Sequence, residues 1–212
     1  RLSDSLLHIT LGPDAPTLGV PDWSLNTGNF VDYYFDGRLA ADLQLKHDVQ
    51  SFSLQSGSQP GADTIYLDVE NLRLAPILQT MPGTPPISAL LSTALATDFS
   101  GGYPMVGGSI RLDSARYDGK WVGNMALSLD YRQLSSSLME MDAFLDVDTT
   151  RALSLSARYD TDTLSALPLD ATVQIPAFPL SVANAFLPDD MARIEGVLRG
   201  NVSASGHVDA PR

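Results

Sequence analysis

The chain has 212 residues, 44% of them hydrophobic and 18% charged, with 25 acidic against 13 basic side chains for a formal charge of −12. That apolar content supplies a sizeable core and excludes wholesale disorder, while the acidity excludes the basic surface that nucleic acid or a polybasic membrane clamp requires. There is no cysteine, so disulfides and thiolate metal sites are excluded as well.

Taken in chain order, the stretch from Gly12-Pro13-Asp14-Ala15-Pro16 through Val20-Pro21-Asp22-Trp23 is loop-like, because proline recurs too often for a central strand. From Leu39 onward the dominant signal is alternation with period two. Leu39, Ala41, Leu43 and Leu45 enclose Asp42 and Gln44; Phe52 and Leu54 lie among Ser51, Ser53 and Gln55; Ile65, Leu67 and Val69 alternate with Tyr66, Asp68 and Glu70. Trp121, Gly123, Met125, Leu127, Leu129 and Tyr131 form the clearest run, with Asn124, Ser128 and Asp130 between them. Met139, Met141, Ala143, Leu145 and Val147 follow, then Leu153, Leu155, Ala157 and Tyr159, and finally Leu169, Ala171, Val173 and Ile175. Successive strand side chains point to opposite faces, so each run predicts a strand with one apolar and one wet side. Asp36-Gly37, Ser56-Gly57-Ser58, Pro60-Gly61, Gly107-Gly108 and Asp118-Gly119 read as breakers, and Asp118-Gly119 is a hairpin signal. Together these predict an antiparallel meander.

Helical signal is thin. Ala75 to Met81 and Leu180 to Leu187 each hold one or two turns ending at a proline, Pro82 or Pro188. Ser88 to Leu95 is helical by propensity and equally readable as a buried strand. Comparing the halves reveals a repeat of about 106 residues. Tyr66 to Leu74 aligns with Thr172 to Leu180, each leading into a short turn that closes on proline. Ile87 to Leu91 then aligns with Ile194 to Leu198, after one residue of slippage. The predicted organisation is leading strands and loops over 1–64, a first unit over 65–171 and the start of a second over 172–212, all within one β architecture. Such a unit cannot bury its apolar face alone and is extended by its neighbour.

No chemistry-bearing constellation emerges. His8, His47 and His207 are isolated and lack the spacing of metal ligands or an acid partner in the pattern. Asp146-Val147-Asp148 and Asp160-Thr161-Asp162 suggest calcium, but neither has the glycine and distal Glu of an EF-hand, and both read as solvated strand ends. Ser135-Ser136-Ser137 lacks the glycines of a nucleophile elbow, and the paired glycines at 101–102 and 107–108 lack the lysine of a phosphate loop. The expectation is a protein with no catalytic residue, metal or cofactor.

The run Ile194-Glu195-Gly196-Val197-Leu198-Arg199-Gly200-Asn201-Val202-Ser203-Ala204-Ser205-Gly206-His207-Val208-Asp209-Ala210-Pro211 resembles the recurring glycine- and proline-punctuated element of the TamB family of translocation and assembly module proteins. Phe178-Pro179-Leu180 before a turn ending in Leu187-Pro188 is similar to what precedes that element there, and Pro104 to Asp113 resembles its continuation. The likeness runs from Ile65 to the end and shades into AsmA-like proteins. Gly196 and Gly200 are matched in the first unit only by Ala89 and Thr93. The resemblance implies a periplasmic piece of a larger envelope protein, anchored in the inner membrane through a segment outside this sequence. It implies a rolled, open sheet with a greasy inside. It further implies phospholipid transport between inner and outer membranes, or help to outer-membrane protein assembly with a partner barrel.

The expected fold is therefore all-β: an antiparallel meander rolled into an open, taco-like trough, or a partly closed sandwich, with an apolar interior and one or two short helices. The groove- or core-lining candidates are Leu43, Leu45, Ile65, Leu67, Val69, Trp121, Met125, Leu127, Leu129, Met139, Met141, Leu145, Leu153, Leu155, Val173 and Ile175. No Asp, Glu, Lys or Arg falls among the alternating inner positions, which suits acyl chains, and flexible methionines suit an adaptable surface. The expected partners are phospholipid or other acyl chains, an outer-membrane barrel protein and the continuation of the same sheet in a longer chain. The competing readings are a β-sandwich module for carbohydrate or protein, motivated by Trp23 and Tyr33-Tyr34-Phe35, and an outer-membrane barrel, which shares the alternation.

Overall fold

A computed structural model describes residues 2–3, 6–12, 16–35, 37–57, 63–162, 168–207 and 210–211. The readings placed on Pro13 to Ala15, Asp36, Ser58, Pro60-Gly61, Val208 and Asp209 lie outside the described residues. Among the described residues fifteen strands form one antiparallel sheet. They are β1 (Leu2–Ser3), β2 (Leu6–Ile9), β3 (Ser24–Leu25), β4 (Phe30–Tyr34), β5 (Leu39–His47), β6 (Gln50–Ser56), β7 (Thr64–Arg73), β8 (Ile87–Asp98), β9 (Met105–Tyr117), β10 (Lys120–Gln133), β11 (Leu138–Val147), β12 (Thr150–Asp160), β13 (Leu169–Pro179), β14 (Val197–His207) and β15 (Ala210–Pro211). Each strand pairs with its neighbour in sequence, except that β3 lies beside β5, so that β4 joins β2 directly to β5. The end strands do not pair with one another, so the sheet is an open trough, neither a closed barrel nor a two-layer sandwich.

The local chemistry follows the pattern. Asp118 and Gly119 both take positive φ, 49° and 75°, which is what a two-residue hairpin turn demands of the β9–β10 connection. The segment Ser88 to Leu95 is strand, part of β8, because both its edges are paired, to β7 and to β9. Gly107-Gly108 is not a breaker. Both lie inside β9 with unbroken register to Leu95–Ala96 and Leu129–Asp130. Gly108 sits at φ 143°, and a Cβ there would lie 2.0 Å from the Ala94 carbonyl oxygen; the glycine allows a close backbone approach rather than ending the strand.

Two bulges carry the only helices among the described residues. In β7 the register to β8 slips between Val69 and Leu72, and α1 (Leu74–Leu78) follows. In β13 it slips between Ile175 and Phe178, and a 3-10 helix (Leu180–Phe186) follows. The slips are 106 residues apart, and the partners on the next strands, Leu91 and Leu198, are 107 apart. A bulge bends its strand and re-aims the chain. Here each one throws a turn of helix onto the apolar side of the sheet. The sheet runs without interruption through the positions 64/65 and 171/172, which fall inside β7 and β13.

The fully buried side chains concentrate along one rim of the trough. Trp23 (0% exposed), Val69, Leu72, Ala89, Ala115, Val147, Ala152 and Ala185 are buried there, at the strand ends nearest the two helices, while the small Ala41 and Ala143 are buried elsewhere on the sheet. Trp23 packs against Leu45, Val69 and Leu72, with Leu18, Val20, Leu25 and Ile77 closing around it. Gly19 makes this possible: at φ 72° it touches α1 so closely that a Cβ would lie 2.8 Å from the Ile77 backbone nitrogen. Further along, the 3-10 helix packs on β9 and β10 through Phe186, whose ring centroid is 4.7 Å from that of Tyr117.

Candidate functional site: an uncovered apolar sheet face

Cross-strand partners share a face, so register shows which side chains form one surface. One row runs Leu43, Leu54, Leu67, Leu95, Gly108, Leu129, Ala143, Leu155, Val173, Val202 from β5 to β14. The row beside it on the helix side runs Leu45, Phe52, Val69, Thr93, Ile110, Leu127, Leu145, Leu153. The row on the other side runs Ser56, Ile65, Thr97, Val106, Tyr131, Met141, Ala157, Ala171, Ala204. Met125 lies opposite Leu112 and Val147, Met139 opposite Tyr159, and Ile175 opposite Gly200. No Asp, Glu, Lys or Arg stands in these rows. The charges alternate onto the other face, where Arg132 pairs with Asp130 at 3.0 Å and with Glu140 at 3.8 Å, and Arg151 pairs with Asp146.

Fifteen of the sixteen candidates named from the sequence therefore share this surface. Trp121 does not. The β9–β10 register slips on either side of Gly123, which puts Trp121 directly opposite Arg116 while the next pair, Lys120 and Tyr117, faces the 3-10 helix. Alternation then sends Trp121 to the charged face, where it is 48% exposed with the Arg116 guanidinium 5.3 Å from its ring. The bulge, invisible in a period-two count, overrides the parity. The register also adds residues that the sequence left out: Leu91, Leu95, Val106, Ile110 and Leu112 from β8 and β9. In β9 the alternation is legible but diluted by Gly108; in β8 Leu90, Ala94 and Ala96 make both faces apolar and erase the period.

No second layer covers most of this face. The chain exposes 13250 Å², whereas a compact monomer of its mass exposes about 9,500 Å². An excess of roughly 3,700 Å² of total accessible surface is the mark of a sheet left largely in a single layer. Nine inter-strand steps at about 4.8 Å give the middle row a length of roughly 43 Å, more than the ~30 Å hydrocarbon thickness of a bilayer.

The helix rim is fastened by polar contacts. Lys120 Nζ donates to the Leu187 carbonyl at 2.5 Å and to Asp189 Oδ1 at 2.8 Å, and that bond, reinforced by the lysine's charge, holds the Asp189 carboxyl below its ordinary pKa. A cleft of about 350 Å³ opens there between Lys120, Ser181, Asn184 and Asp189. The other singled-out groups are dispersed. His8 pairs with Asp32, and His47 packs on Trp23 at 5.6 Å between ring centroids. Asp148 Oδ1 accepts from the Asn124 backbone N–H at 3.0 Å, and Asp160 Oδ1 from that of Asp162. The His207 side chain lies outside the described residues. The aromatic cluster divides: Trp23 is buried, whereas Tyr33 and Phe35 are exposed, 6.2 Å apart edge to face. Among the described residues no three His, Asp or Glu side chains gather as metal ligands, and no helix is long and apolar enough to cross a membrane. No family model, curated protein or solved structure matches this chain.

Proposed function

We propose that this chain is a non-enzymatic segment of a periplasmic envelope-biogenesis protein, of the TamB or AsmA-like kind, whose apolar face carries acyl chains of phospholipid between the inner and outer membranes. The observation that supports this reading best is a face free of acids and bases, continuous in register from β5 to β14 and left without a covering layer. Transferring each methylene from water onto such a face is worth about 0.8 kcal/mol. Half an acyl chain is therefore held by several kcal/mol without any specific polar contact, and it can slide, because no hydrogen bond marks one position. Met125, Met139 and Met141, unbranched and polarizable, adapt to a mobile guest. The glycine-punctuated stretch from Ile194 to Pro211, which resembles the TamB element, supports the family reading independently of the face.

The test is direct. Purified from a bacterial periplasm, the chain should carry phospholipid that thin-layer chromatography detects. A photoreactive side chain replacing Leu129 or Leu155 should crosslink to it, and one replacing Ser128 or Ser156 on the charged face should not. A chain that emerges lipid-free and takes up none from vesicles ends the proposal.

A further inference from the structure

The two long rims of the trough are built differently, and the difference bears on how a guest reaches the apolar face. At the helix rim the chain covers its own strand ends. Trp23 and its neighbours Leu18 and Val20 lie over Leu45, Val69 and Leu72; α1 adds Ile77; the 3-10 helix adds Phe186 against Tyr117, held down by Lys120. An acyl chain crossing over β5 to β8 must first displace the packed Trp23 cluster, whereas Phe186 itself stays 59% exposed. At the opposite rim, the two connections that are fully described carry no helix and bond to themselves, to the adjoining strands and to the connections beside them, through Phe99 N–H to the Asp63 carbonyl and Thr161 N–H to the Ser137 carbonyl. In the β8–β9 turn the Gly102 N–H donates to the Phe99 carbonyl, and the Ser100 N–H to Asp98 Oδ1. In the β10–β11 turn the Leu134 N–H donates to the Leu138 carbonyl, and the Ser137 N–H to Ser135 Oγ. On the apolar face the first rung inside the β8–β9 turn is Thr97–Val106, and inside the β10–β11 turn Gln133–Met139 followed by Tyr131–Met141. Phe99 continues the apolar alternation of β8 right onto this rim and is 42% exposed.

We infer that acyl chains load sideways over the rim formed by the turns 99–104 and 134–137, with the helix rim acting as a fixed wall. The inference rests on the acyl-binding reading and adds the route to it. A lipid entering this way keeps its polar headgroup in water at the turns while its tail slides past Phe99 onto Val106, Tyr131 and Met141; entry past the fully buried Trp23 would require local unfolding.

The absence of cysteine allows clean single-site labelling. Ser100→Cys and Ser136→Cys, each coupled to a bulky polyethylene glycol maleimide, obstruct the open rim; Gln79→Cys and Asp190→Cys, coupled likewise, place the same polymer at the helix rim. Uptake of a pyrene-labelled phosphatidylcholine from phosphatidylcholine vesicles is then followed by fluorescence. The expected result is at least a tenfold slower uptake with polymer at 100 and 136 together, and less than a twofold change with polymer at 79 and 190, the final amount bound being equal. Slower uptake from the helix-rim polymers, or equal rates for all, overturns the route while leaving acyl binding intact. No uptake by the unlabelled chain overturns both.

Discussion

The helix rim and the open rows begin from the same sequence pattern and end as different kinds of surface. Leu45 and Val69 at the rim and Leu43 and Leu67 one rung away belong to the same strands, alternate with the same polar neighbours and point the same way. Leu45 and Val69 are buried in the Trp23 cluster and become core; Leu67 packs only at the edge of that cluster, and both it and Leu43 stay partly exposed. Alternation thus decides which side is apolar, and the segments that fold onto that side decide whether an apolar residue stabilises the protein or is left for a guest. It follows that substitutions at the rim should act on stability and those on the open rows on binding.

The largest effect expected is at Trp23. Truncation to Ala removes the largest fully buried side chain among the described residues and should cost about 3–5 kcal/mol, read as a lowered midpoint in urea. Trp121→Ala, on the charged face, should stay within about 1 kcal/mol, and equal losses at the two tryptophans would erase the distinction between rim and surface. Gly108→Ala comes next, because its Cβ meets the Ala94 carbonyl; a loss of about 3 kcal/mol, with amide exchange accelerated along β8 and β9, is the expected result. Gly19→Ala should cost about 1–3 kcal/mol by lifting the Trp23 segment off α1. On the open rows, Leu129→Asp should lower acyl-chain uptake at least tenfold while leaving the urea midpoint nearly unchanged, since a half-exposed carboxylate there reaches water but repels an aliphatic guest. A collapse of stability instead would place the middle row in the core. The smallest effect concerns the fastening of the 3-10 helix. Lys120 holds the Asp189 carboxyl below its ordinary pKa, so the contact contributes fully above the normal carboxylate range and is lost as pH falls through the depressed value. Amide exchange of residues 180–187, corrected for its intrinsic pH dependence, should therefore rise slightly in strong acid, and Lys120→Met should abolish that step.

Much of the architecture was readable residue by residue. The runs from Leu39, Ile65, Met139 and Leu153 became strands with the predicted faces, Asp118-Gly119 became a hairpin, and the proline-ended stretches became the two helices. What the sequence could not show were the places where chain meets chain. Gly107-Gly108 looked like a break because glycine usually marks one, yet here it accommodates a neighbouring backbone. Trp121 looked like groove because parity counting assumes an unbroken ladder, and the slip at Gly123 breaks it. Trp23 looked like one member of an aromatic cluster, and only the folding of its loop onto β5 to β8 parts it from Tyr33 and Phe35.

Sequence alone determined the class of structure and the chemistry of its two sides, because side-chain direction in a strand is local and repeats every second residue. Tertiary structure alone decided which part of the apolar side is sealed. Covering a strand end depends on segments far apart in the chain, such as Trp23 with Val69 and Tyr117 with Phe186, being brought together by bulges whose effect no local periodicity encodes.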